Sequence, residues 1–441
     1  MKKALSLQPI FNKIDQMKEQ YKSRVVDDQL KRKLKGKGAV LIEGAKWCGK
    51  TSTAEQVAGS VLYMADPRKV EQNILMASEG PDILLDGPVP RLIDEWQIAP
   101  KLWDAVRFEV DHRGSMGQFI LTGSAVPAKH DEIRHSGTGR FAWLLMRPMS
   151  LWESGDSEGK VSLQALFEQP EKIAAANPLD MNRLAWITCR GGWPLATTID
   201  EEVALDQAFD YYDAVVNSDI QRADGVNRNP ERVKRLMRSY ARNQASQVSL
   251  ATICADMKAN DAESLDENTV FSYLNALKSI FVVEEMPAWN PNLRSKTSIR
   301  TAETRYFVDP SIATAALGIG PDDLLHDLNT FGLFFETLCV RDLRVYAQSL
   351  DGAVYHYRDS SGLECDSVVH LRNGSYGLVE IKLGGDKLIE EGAKSLLSLA
   401  KKIDTSRMKA PSFLMVLTGT TAYAYRRKDG VFVVPIGCLR P

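Results

Sequence analysis

The spacing of apolar and polar residues divides the chain into regions of different character. Residues 25–204 alternate short apolar runs with helical segments, the pattern of a sheet with helices packed against it. Helical periodicity dominates residues 205–320, and short strands return over residues 321–441. The pattern therefore predicts an α/β domain, a helical module and a second α/β domain, preceded by a helical extension at residues 1–24.

The most informative local pattern follows the first predicted strand, Gly38–Glu43. The next eight residues, Gly-Ala-Lys-Trp-Cys-Gly-Lys-Thr, complete the phosphate-loop motif G-x-x-x-x-G-K-[ST]. A helical segment over residues 52–59 follows, so strand, glycine loop and helix stand in the order that the motif requires. The predicted nucleotide-binding residues are Gly44, Ala45, Lys46, Trp47, Cys48, Gly49, Lys50, Thr51 and Ser52.

The chemistry of such a loop assigns separate roles to its parts. Backbone N–H groups of the loop and of the following helix N-terminus face a pyrophosphate, because both present positive partial charge. Lys50 reaches the β- and γ-phosphates, and the Thr51 hydroxyl is a ligand of Mg²⁺. The sequence thus predicts a nucleoside triphosphate bound together with Mg²⁺.

Two further predicted strands end in polar residues. Asp94 and Glu95 follow an apolar run; we assign Asp94 to Mg²⁺ and Glu95 to the attacking water. The alternative for this pair is a plain strand end with two solvated acids. The strand over residues 118–124 ends in small hydroxyl residues, of which Thr122 or Ser124 is the expected sensor of the γ-phosphate.

Together these segments resemble a family of prokaryotic AAA-type ATPases. The shared features are a D-E-x-Q strand end, an L-T-G-S strand, a G-R pair, a P-[LM]-S-[FL]-x-E segment and a closing G-G-[YF]-P marker, which appears here as Gly191-Gly192-Trp193-Pro194. The resemblance extends over almost the whole chain from about Val25. It implies a P-loop NTPase domain that uses ATP and Mg²⁺.

The resemblance also implies a role for Arg140, which stands in the G-R pair. In the family this arginine acts as a finger on the nucleotide of a neighbouring subunit, which implies a homo-oligomer. The alternative is an arginine in a surface ion pair. The chain departs from the family at Trp47-Cys48, where smaller or polar residues are usual, but backbone amides do the work of this loop.

The middle region has the order of elements of a winged helix-turn-helix, and the resemblance implies the same module. Helical patterns over residues 230–238, 248–257 and 266–281, the last with Asp266 as N-cap, precede an extended stretch over residues 281–286. The candidate recognition helix begins Asp-Glu-Asn-Thr, which repels phosphate, and offers Lys278 only late. A packing or oligomerisation role is therefore favoured over contact with DNA.

The C-terminal region predicts an α-β-β-β-α-β order that resembles the PD-(D/E)XK nuclease core. The predicted helices and strands cover residues 331–346, 353–358, 363–371, 375–382, 387–401 and 412–417. In active members an aspartate and a glutamate hold Mg²⁺ and a lysine helps to generate the attacking hydroxide. The matching residues are Asp366, Glu380 and Lys382, with Glu336 as a helper on the first helix.

Two considerations oppose this nuclease hypothesis. Glu-x-Lys on a strand commonly means a solvated ion pair. A two-residue turn at Asn373-Gly374 would also pair Asp366 with Ile381, which puts Asp366 and Glu380 on opposite faces of the sheet. A shared metal site therefore requires a three-residue loop or a bulge within residues 372–375.

Composition narrows the remaining options. The chain has 441 residues, a formal net charge of −2 and six scattered cysteines without a C-x-x-C pair. These values give no global attraction to nucleic acid and argue against a zinc ribbon or a disulfide framework, which fits a reducing cytoplasm. No apolar run approaches the ~20 residues of a membrane span, so a cytoplasmic protein without a membrane partner is expected.

Two functional hypotheses follow. The first is an ATPase whose nucleotide state is coupled to a nuclease-like domain acting on or near double-stranded DNA. The second is a nucleotide-regulated binding or assembly protein, whose inactive nuclease-like domain recognises a protein partner.

Overall fold

The computed structural model of the chain describes residues 21–124, 136–168, 173–258, 266–291 and 302–441. The predicted N-terminal extension lies almost entirely outside the described residues. Within them the chain forms two compact units: residues 21–43, 49–123 and 136–144 make the first, and residues 44–48, 124 and the chain from 145 onward make the second. The four-part division expected from the sequence stays a prediction.

A five-stranded sheet in the order β2-β3-β4-β1-β5 organises the first unit. Its strands are β1 (Ala39–Glu43), β2 (Ser60–Tyr63), β3 (Arg91–Asp94), β4 (Phe119–Gly123) and β5 (Phe141–Leu145). The helices are α1 (Val26–Gly36), α2 (Lys50–Glu55), α3 (Val70–Glu79), α4 (Pro81–Leu85) and α5 (Leu102–Arg113), with a 3₁₀ turn at Trp96–Ile98. The predicted α/β class is confirmed for this unit.

Strands β2, β3, β4 and β1 run parallel, and this direction sets where their polar ends meet. Residues 39–42 of β1 are all buried, as expected for a strand covered on both faces. Thr122 of β4 pairs with Ile42 of β1 on one side and with Asp94 of β3 on the other. The carboxyl ends of β1, β3 and β4 therefore lie side by side.

The second unit contains a seven-stranded sheet in the order β7-β12-β13-β11-β10-β9-β8 and a small β14-β6 pair. The strands are β6 (Val161–Ser162), β7 (Ala175–Ala176), β8 (Gly352–Arg358), β9 (Glu364–Leu371), β10 (Tyr376–Lys382), β11 (Phe413–Thr418), β12 (Tyr423–Arg426), β13 (Phe432–Pro435) and β14 (Leu439–Arg440). Strands β8, β9 and β10 are antiparallel neighbours, whereas β11 lies parallel to β10. The predicted order of C-terminal elements is confirmed.

Thirteen α-helices of the described residues belong to the second unit. They are α6 (Leu151–Ser154), α7 (Leu163–Glu168), α8 (Met181–Arg190), α9 (Glu201–Ala204), α10 (Asp206–Ala214), α11 (Ile220–Arg222), α12 (Pro230–Arg242), α13 (Leu250–Lys258), α14 (Glu267–Ser279), α15 (Pro310–Leu317), α16 (Pro321–His326), α17 (Leu328–Ser349) and α18 (Asp386–Lys402). A π-helix at Val215–Asp219 separates α10 from α11, and 3₁₀ turns occur at Leu195–Thr197 and Ile436–Cys438. None of the helices in the described ranges is long and apolar enough to cross a membrane.

The predicted helix over residues 266–281 is confirmed at its start and shorter at its end. Asp266 caps α14 by accepting a hydrogen bond from the Thr269 N–H at 2.7 Å. The helix stops at Ser279, and Phe281 adopts a left-handed backbone with φ 59°. Beyond it, antiparallel bridges join residue 283 to 307 and residue 286 to 304. This is the element order of a winged helix, and that assignment stays a prediction.

The Gly-Gly-Trp-Pro segment is held by buried polar residues of the second unit. The Gly192 N–H donates to Asp309 Oδ2 at 2.9 Å, and Arg341 Nη1 donates to the same oxygen at 2.8 Å. A Cβ atom on Gly192 would lie 2.2 Å from the Met149 carbonyl oxygen, so only glycine fits this position. The Trp193 indole N–H donates to Ser311 Oγ at 3.0 Å.

A second polar network surrounds Arg147. This guanidinium is bidentate to Glu284, with Nη2–Oε1 at 2.6 Å and Nε–Oε2 at 2.7 Å, and it donates to Gln348 Oε1 at 2.6 Å. Arg344 adds a second positive charge, with Nη1 at 3.7 Å from Glu284 Oε2. Burial by itself raises the pKa of Glu284, but the charges of Arg147 and Arg344 outweigh it and lower the pKa to about 2.

The six cysteines are buried thiols, and none forms a disulfide.

Candidate functional site

Asp94 receives two hydroxyl groups that come from different elements of the first unit. Thr51 Oγ1, on α2, donates to Asp94 Oδ1 at 2.7 Å, and Thr122 Oγ1, on β4, donates to the same oxygen at 2.6 Å. The sequence predicted a metal role for Thr51 and Asp94 and a sensor role for Thr122. The parallel register of β3 and β4 places Asp94 beside Thr122, and α2 brings Thr51 to the same carboxylate. Ser124, the alternative sensor, is buried.

The phosphate loop has the backbone that its glycines allow. Gly49 adopts a left-handed conformation with φ 100° immediately before α2, where Lys50 and Thr51 form the first turn. A Cβ atom on Gly44 would lie 2.0 Å from the Met146 carbonyl oxygen, so a larger residue cannot replace it. Burial varies along the predicted binding residues: Ala45, Cys48 and Lys50 are buried, and Trp47 and Ser52 are exposed.

Glu95, the predicted water-activating residue, has a restrained position after β3. Its backbone is left-handed, with φ 56°, and its Oε2 accepts a hydrogen bond from the Gln97 side-chain amide. This contact gives a physical reason for the D-E-x-Q pattern, because the glutamine holds the glutamate that stands two residues before it. Sequence reasoning did not assign a role to Gln97, although the spacing carried the signal.

The first five loop residues contact other residues of the second unit. Lys46 forms an ion pair with Asp219, the last residue of the π-helix. The Trp47 ring meets Tyr211 edge-on at 5.8 Å between centroids, and Cys48 Sγ donates to the Met146 carbonyl at 3.5 Å. The sequence analysis predicted no role for Asp219, since nothing near it in the chain distinguishes it from other acidic residues in helices.

Arg140, the predicted arginine finger, is engaged within its own chain. Its Nε lies 2.8 Å from Asp111 Oδ1 and its Nη2 lies 3.2 Å from Asp111 Oδ2. In this conformation Arg140 forms the surface ion pair that the sequence analysis gave as the alternative to an arginine finger. Its side chain is 44% exposed.

The hairpin between β9 and β10 has the irregularity that a shared carboxylate site required. The Leu371 N–H donates to the Ser375 carbonyl at 2.8 Å and the Gly374 N–H donates to the Leu371 carbonyl at 3.0 Å, which leaves a three-residue loop. The pairs then continue inward to Ser367 opposite Val379. The next position places Asp366 opposite Glu380, so both carboxylates share one face. Of the two irregularities that a shared site required, a three-residue loop or a bulge, the structure has the three-residue loop.

Lys382 lies between these two carboxylates. Its Nζ is 2.8 Å from Glu380 Oε2 and 3.0 Å from Asp366 Oδ2, and the Ile381 N–H donates to that same Asp366 oxygen at 2.7 Å. Burial lowers the pKa of Lys382, but the two carboxylates dominate and raise it above its usual value. Burial and the neighbouring Asp366 charge raise the pKa of Glu380.

Glu336, the predicted helper on α17, is held by a residue that the sequence did not single out. Tyr306 OH donates to Glu336 Oε1 at 2.6 Å. Burial, followed by the charge of Asp366, raises the pKa of Glu336 well above its usual range. Within the described ranges, no three acidic, histidine or cysteine side chains stand close enough together to form a metal-binding group.

The candidate recognition helix α14 offers little to a nucleic acid. Its late cation, Lys278, is ion-paired with Glu285, which also pairs with Arg305. The first turn of the helix is acidic.

Comparison with protein families identifies the nucleotide region. Residues 36–154 match the profile described as the AAA domain, so this region is an AAA-type ATPase domain with the P-loop NTPase fold. Residues 181–323 and 331–439 match profiles described as domains of unknown function, DUF8612 and DUF4143. No curated protein matches the chain in sequence.

Two solved structures show a distant likeness. The Walker-type ATPase PABY2304 of Pyrococcus abyssi matches with 14% identity and a TM-score of 0.40, covering 66% of this chain and 94% of that one. AMPPCP-bound DnaA from Aquifex aeolicus matches with 15% identity and a TM-score of 0.23, covering 58% and 86%.

Proposed function

We propose that the chain is a Mg²⁺-dependent ATPase whose phosphate loop, Gly44–Thr51, binds the phosphates of ATP. The observation that carries this proposal is the pair of hydroxyl groups on Asp94, because a phosphate-loop hydroxyl in the first turn of a helix and a carboxylate at a strand end are the oxygen ligands that Mg²⁺ takes in P-loop enzymes.

The residues present divide the work. Thr51 and Asp94 would hold Mg²⁺, which neutralises charge on the phosphate oxygens when it is bound. Lys50 contacts the terminal phosphates, and Glu95 orients the attacking water while Gln97 restrains the Glu95 carboxylate. Thr122, hydrogen-bonded to Asp94, connects β4 to the metal ligand.

ATP binding and Mg²⁺-dependent hydrolysis, with and without double-stranded DNA, test the proposal. Lys50→Ala should abolish ATP binding, whereas Lys69→Ala, an exposed lysine of the same unit, should leave it unchanged. Glu95→Gln should retain binding and slow turnover, with Glu71→Gln as its exposed control. Hydrolysis should stop when EDTA removes the metal. Wild-type affinity in Lys50→Ala would overturn the assignment.

We propose that Arg140 acts as a finger on a neighbouring subunit, exchanging Asp111 for the charge of a γ-phosphate. Lys50→Ala and Arg140→Ala subunits, each inactive alone, should recover part of the ATPase activity when mixed, because a mixed interface pairs an intact loop with an intact finger. If no mixture of the two variants recovers activity, Arg140 is a surface residue without a role in the neighbouring site.

For the C-terminal domain we propose metal-dependent cleavage of phosphodiesters, coupled to the nucleotide state. The support is that Asp366, Glu380 and Lys382 share one face of the β9–β10 hairpin. Asp366 and Glu380 offer oxygen ligands that fit Mg²⁺, and the Lys382 ammonium would orient a water by donating a hydrogen bond to it. Mg²⁺-dependent nicking of plasmid should disappear in Asp366→Ala and Lys382→Ala and persist in Asp404→Ala, an exposed acid.

The second candidate is a nucleotide-regulated binding protein. It is favoured by the Lys382 ammonium, which already forms ion pairs with both carboxylates, and by the ion pair between Lys278 and Glu285. Purified protein that neither nicks plasmid nor responds to DNA in its ATPase rate would support this candidate over the nuclease.

A further inference from the structure

The π-helix of the second unit presents a carboxylate to the phosphate loop. Val215–Asp219 form one widened turn between α10 and α11, and the side chain of its last residue is only 10% exposed. Lys46 supplies the partner charge from the second position after Gly44. Single π-turns inside helices are frequent at functional sites, because the extra residue redirects side chains that a regular helix would place elsewhere.

The loop residue next to Lys46 has a backbone that needs support. Trp47 is a bulky residue with φ 64°, in the left-handed region that costs free energy for any residue other than glycine. Such a conformation persists where neighbouring contacts hold it. Here the contacts are the Lys46–Asp219 ion pair on one side and the Cys48–Met146 hydrogen bond on the other, with Tyr211 against the Trp47 ring.

We infer that Asp219 is a positioning residue of the phosphate loop, acting through Lys46. The carboxylate keeps residues 44–48 in the conformation in which their N–H groups face the phosphates, so the loop is preorganised before nucleotide arrives. This inference rests on the proposed ATP binding. Because preorganisation acts on binding, Asp219 affects the affinity for ATP and for ADP rather than the rate of the chemical step.

The contact could serve the opposite purpose. If the Lys46 ammonium were meant for the phosphates, Asp219 would compete with the nucleotide for it, and removal of the carboxylate would tighten binding. The burial of Asp219 favours positioning, since a carboxylate that is nine-tenths covered has no solvent shell to return to when its cation leaves.

Nucleotide affinity measures the effect. In Asp219→Ala the Kd for ATP and ADP should each rise about tenfold, equal to about 1.4 kcal/mol, while kcat at saturating ATP stays within about twofold. The matched control is Asp213→Ala, an exposed acid of α10, which should leave both constants unchanged. The double variant Lys46→Asp with Asp219→Lys, which exchanges the two charges, should recover most of the affinity. If Asp219→Ala does not fold, Asp219→Asn replaces it and should show a smaller loss of affinity.

Amide hydrogen exchange of the nucleotide-free protein separates this inference from the proposed function. Residues 44–48 should exchange faster in Asp219→Ala than in wild type and in Asp213→Ala, whether or not the chain binds ATP. If Lys50→Ala binds nucleotide as tightly as wild type, the ATPase proposal is wrong. The exchange rates of residues 44–48 in Asp219→Ala and in wild type can still be compared in that case. Unchanged loop exchange with unchanged Kd, or tighter ATP binding in Asp219→Ala, would overturn the positioning role.

Discussion

Replacing Glu284 by glutamine tests how much an ion pair inside the second unit stabilises the protein. The substitution keeps the shape of the side chain and removes its charge, which leaves Arg147 and Arg344 without their shared counter-ion. These guanidinium groups are 11% and 6% exposed, so solvent replaces little of the lost interaction. We expect a large destabilisation at neutral pH.

The pKa of Glu284 sets the magnitude and the direction with pH. Arg147 and Arg344 lower this pKa from 4.5 to about 2 against the effect of burial. At about 1.4 kcal/mol per tenfold change in proton affinity, the shift corresponds to about 3 kcal/mol of stability. The folded-state pKa is the lower one, so this stability is present above about pH 4.5 and is lost as the pH falls towards 2.

Urea unfolding followed by circular dichroism measures both effects on the full chain. Glu284→Gln should lose about 3 kcal/mol at pH 7, and its difference from wild type should narrow by about 1 kcal/mol at pH 3.5, where the unfolded wild-type carboxyl is already protonated. The control is Glu391→Gln, whose ion pair with Lys387 is exposed and should contribute less than about 1 kcal/mol. A difference that is the same at both pH values would refute the assignment of this stability to the Glu284 charge.

Three other predictions concern positions described above. Gly192→Ala should destabilise the protein by at least about 2 kcal/mol in thermal unfolding, because the new Cβ collides with the Met149 carbonyl oxygen. The control Gly332→Ala adds a Cβ with no heavy atom within 4 Å and should not destabilise the protein. Thr122→Val should retain ATP binding and lower kcat about tenfold in a steady-state ATPase assay, and unchanged kcat would remove it from the site. Glu336→Gln should change the free energy of unfolding, measured with urea at pH 7, by less than about 1 kcal/mol, because burial and the Asp366 charge raise the pKa of this carboxyl and so disfavour its charged form; a larger loss would show that the carboxyl itself stabilises the fold.

The parts of the site that could be predicted are those set by short stretches of chain and by strand direction. The glycine pattern required a phosphate loop between strand and helix, and Gly49 takes the left-handed backbone that only the glycine accepts without strain. The meeting of Asp94 and Thr122 follows from two parallel strands that end at the same edge. Asp266 was readable as a cap because its oxygen bonds an amide only three residues away.

The parts that could not be predicted depend on residues far apart in the sequence. Asp219 is 173 residues from Lys46, and Glu284 is 137 residues from Arg147, so no local pattern marks either pair. The hairpin after β9 was ambiguous for another reason, since Asn373-Gly374 suits a two-residue turn as well as the three-residue loop observed. Packing of the two strands selects the three-residue loop, because the observed register buries Val368, Tyr376 and Leu378 in one apolar cluster.

The length of that hairpin loop has a consequence for reading related sequences. Gain or loss of one residue between positions 371 and 375 would reverse the parity of the β9–β10 pairing, and Asp366 would turn away from Glu380 with neither residue altered. An alignment that compares only the two acidic residues and the lysine would show all three present in such a relative, although its two carboxylates no longer share one face of the sheet. Homologues of this domain should therefore be sorted by whether the interval between the two acids is even or odd, because a single-codon insertion in the turn would separate the two carboxylates as completely as the loss of one of them.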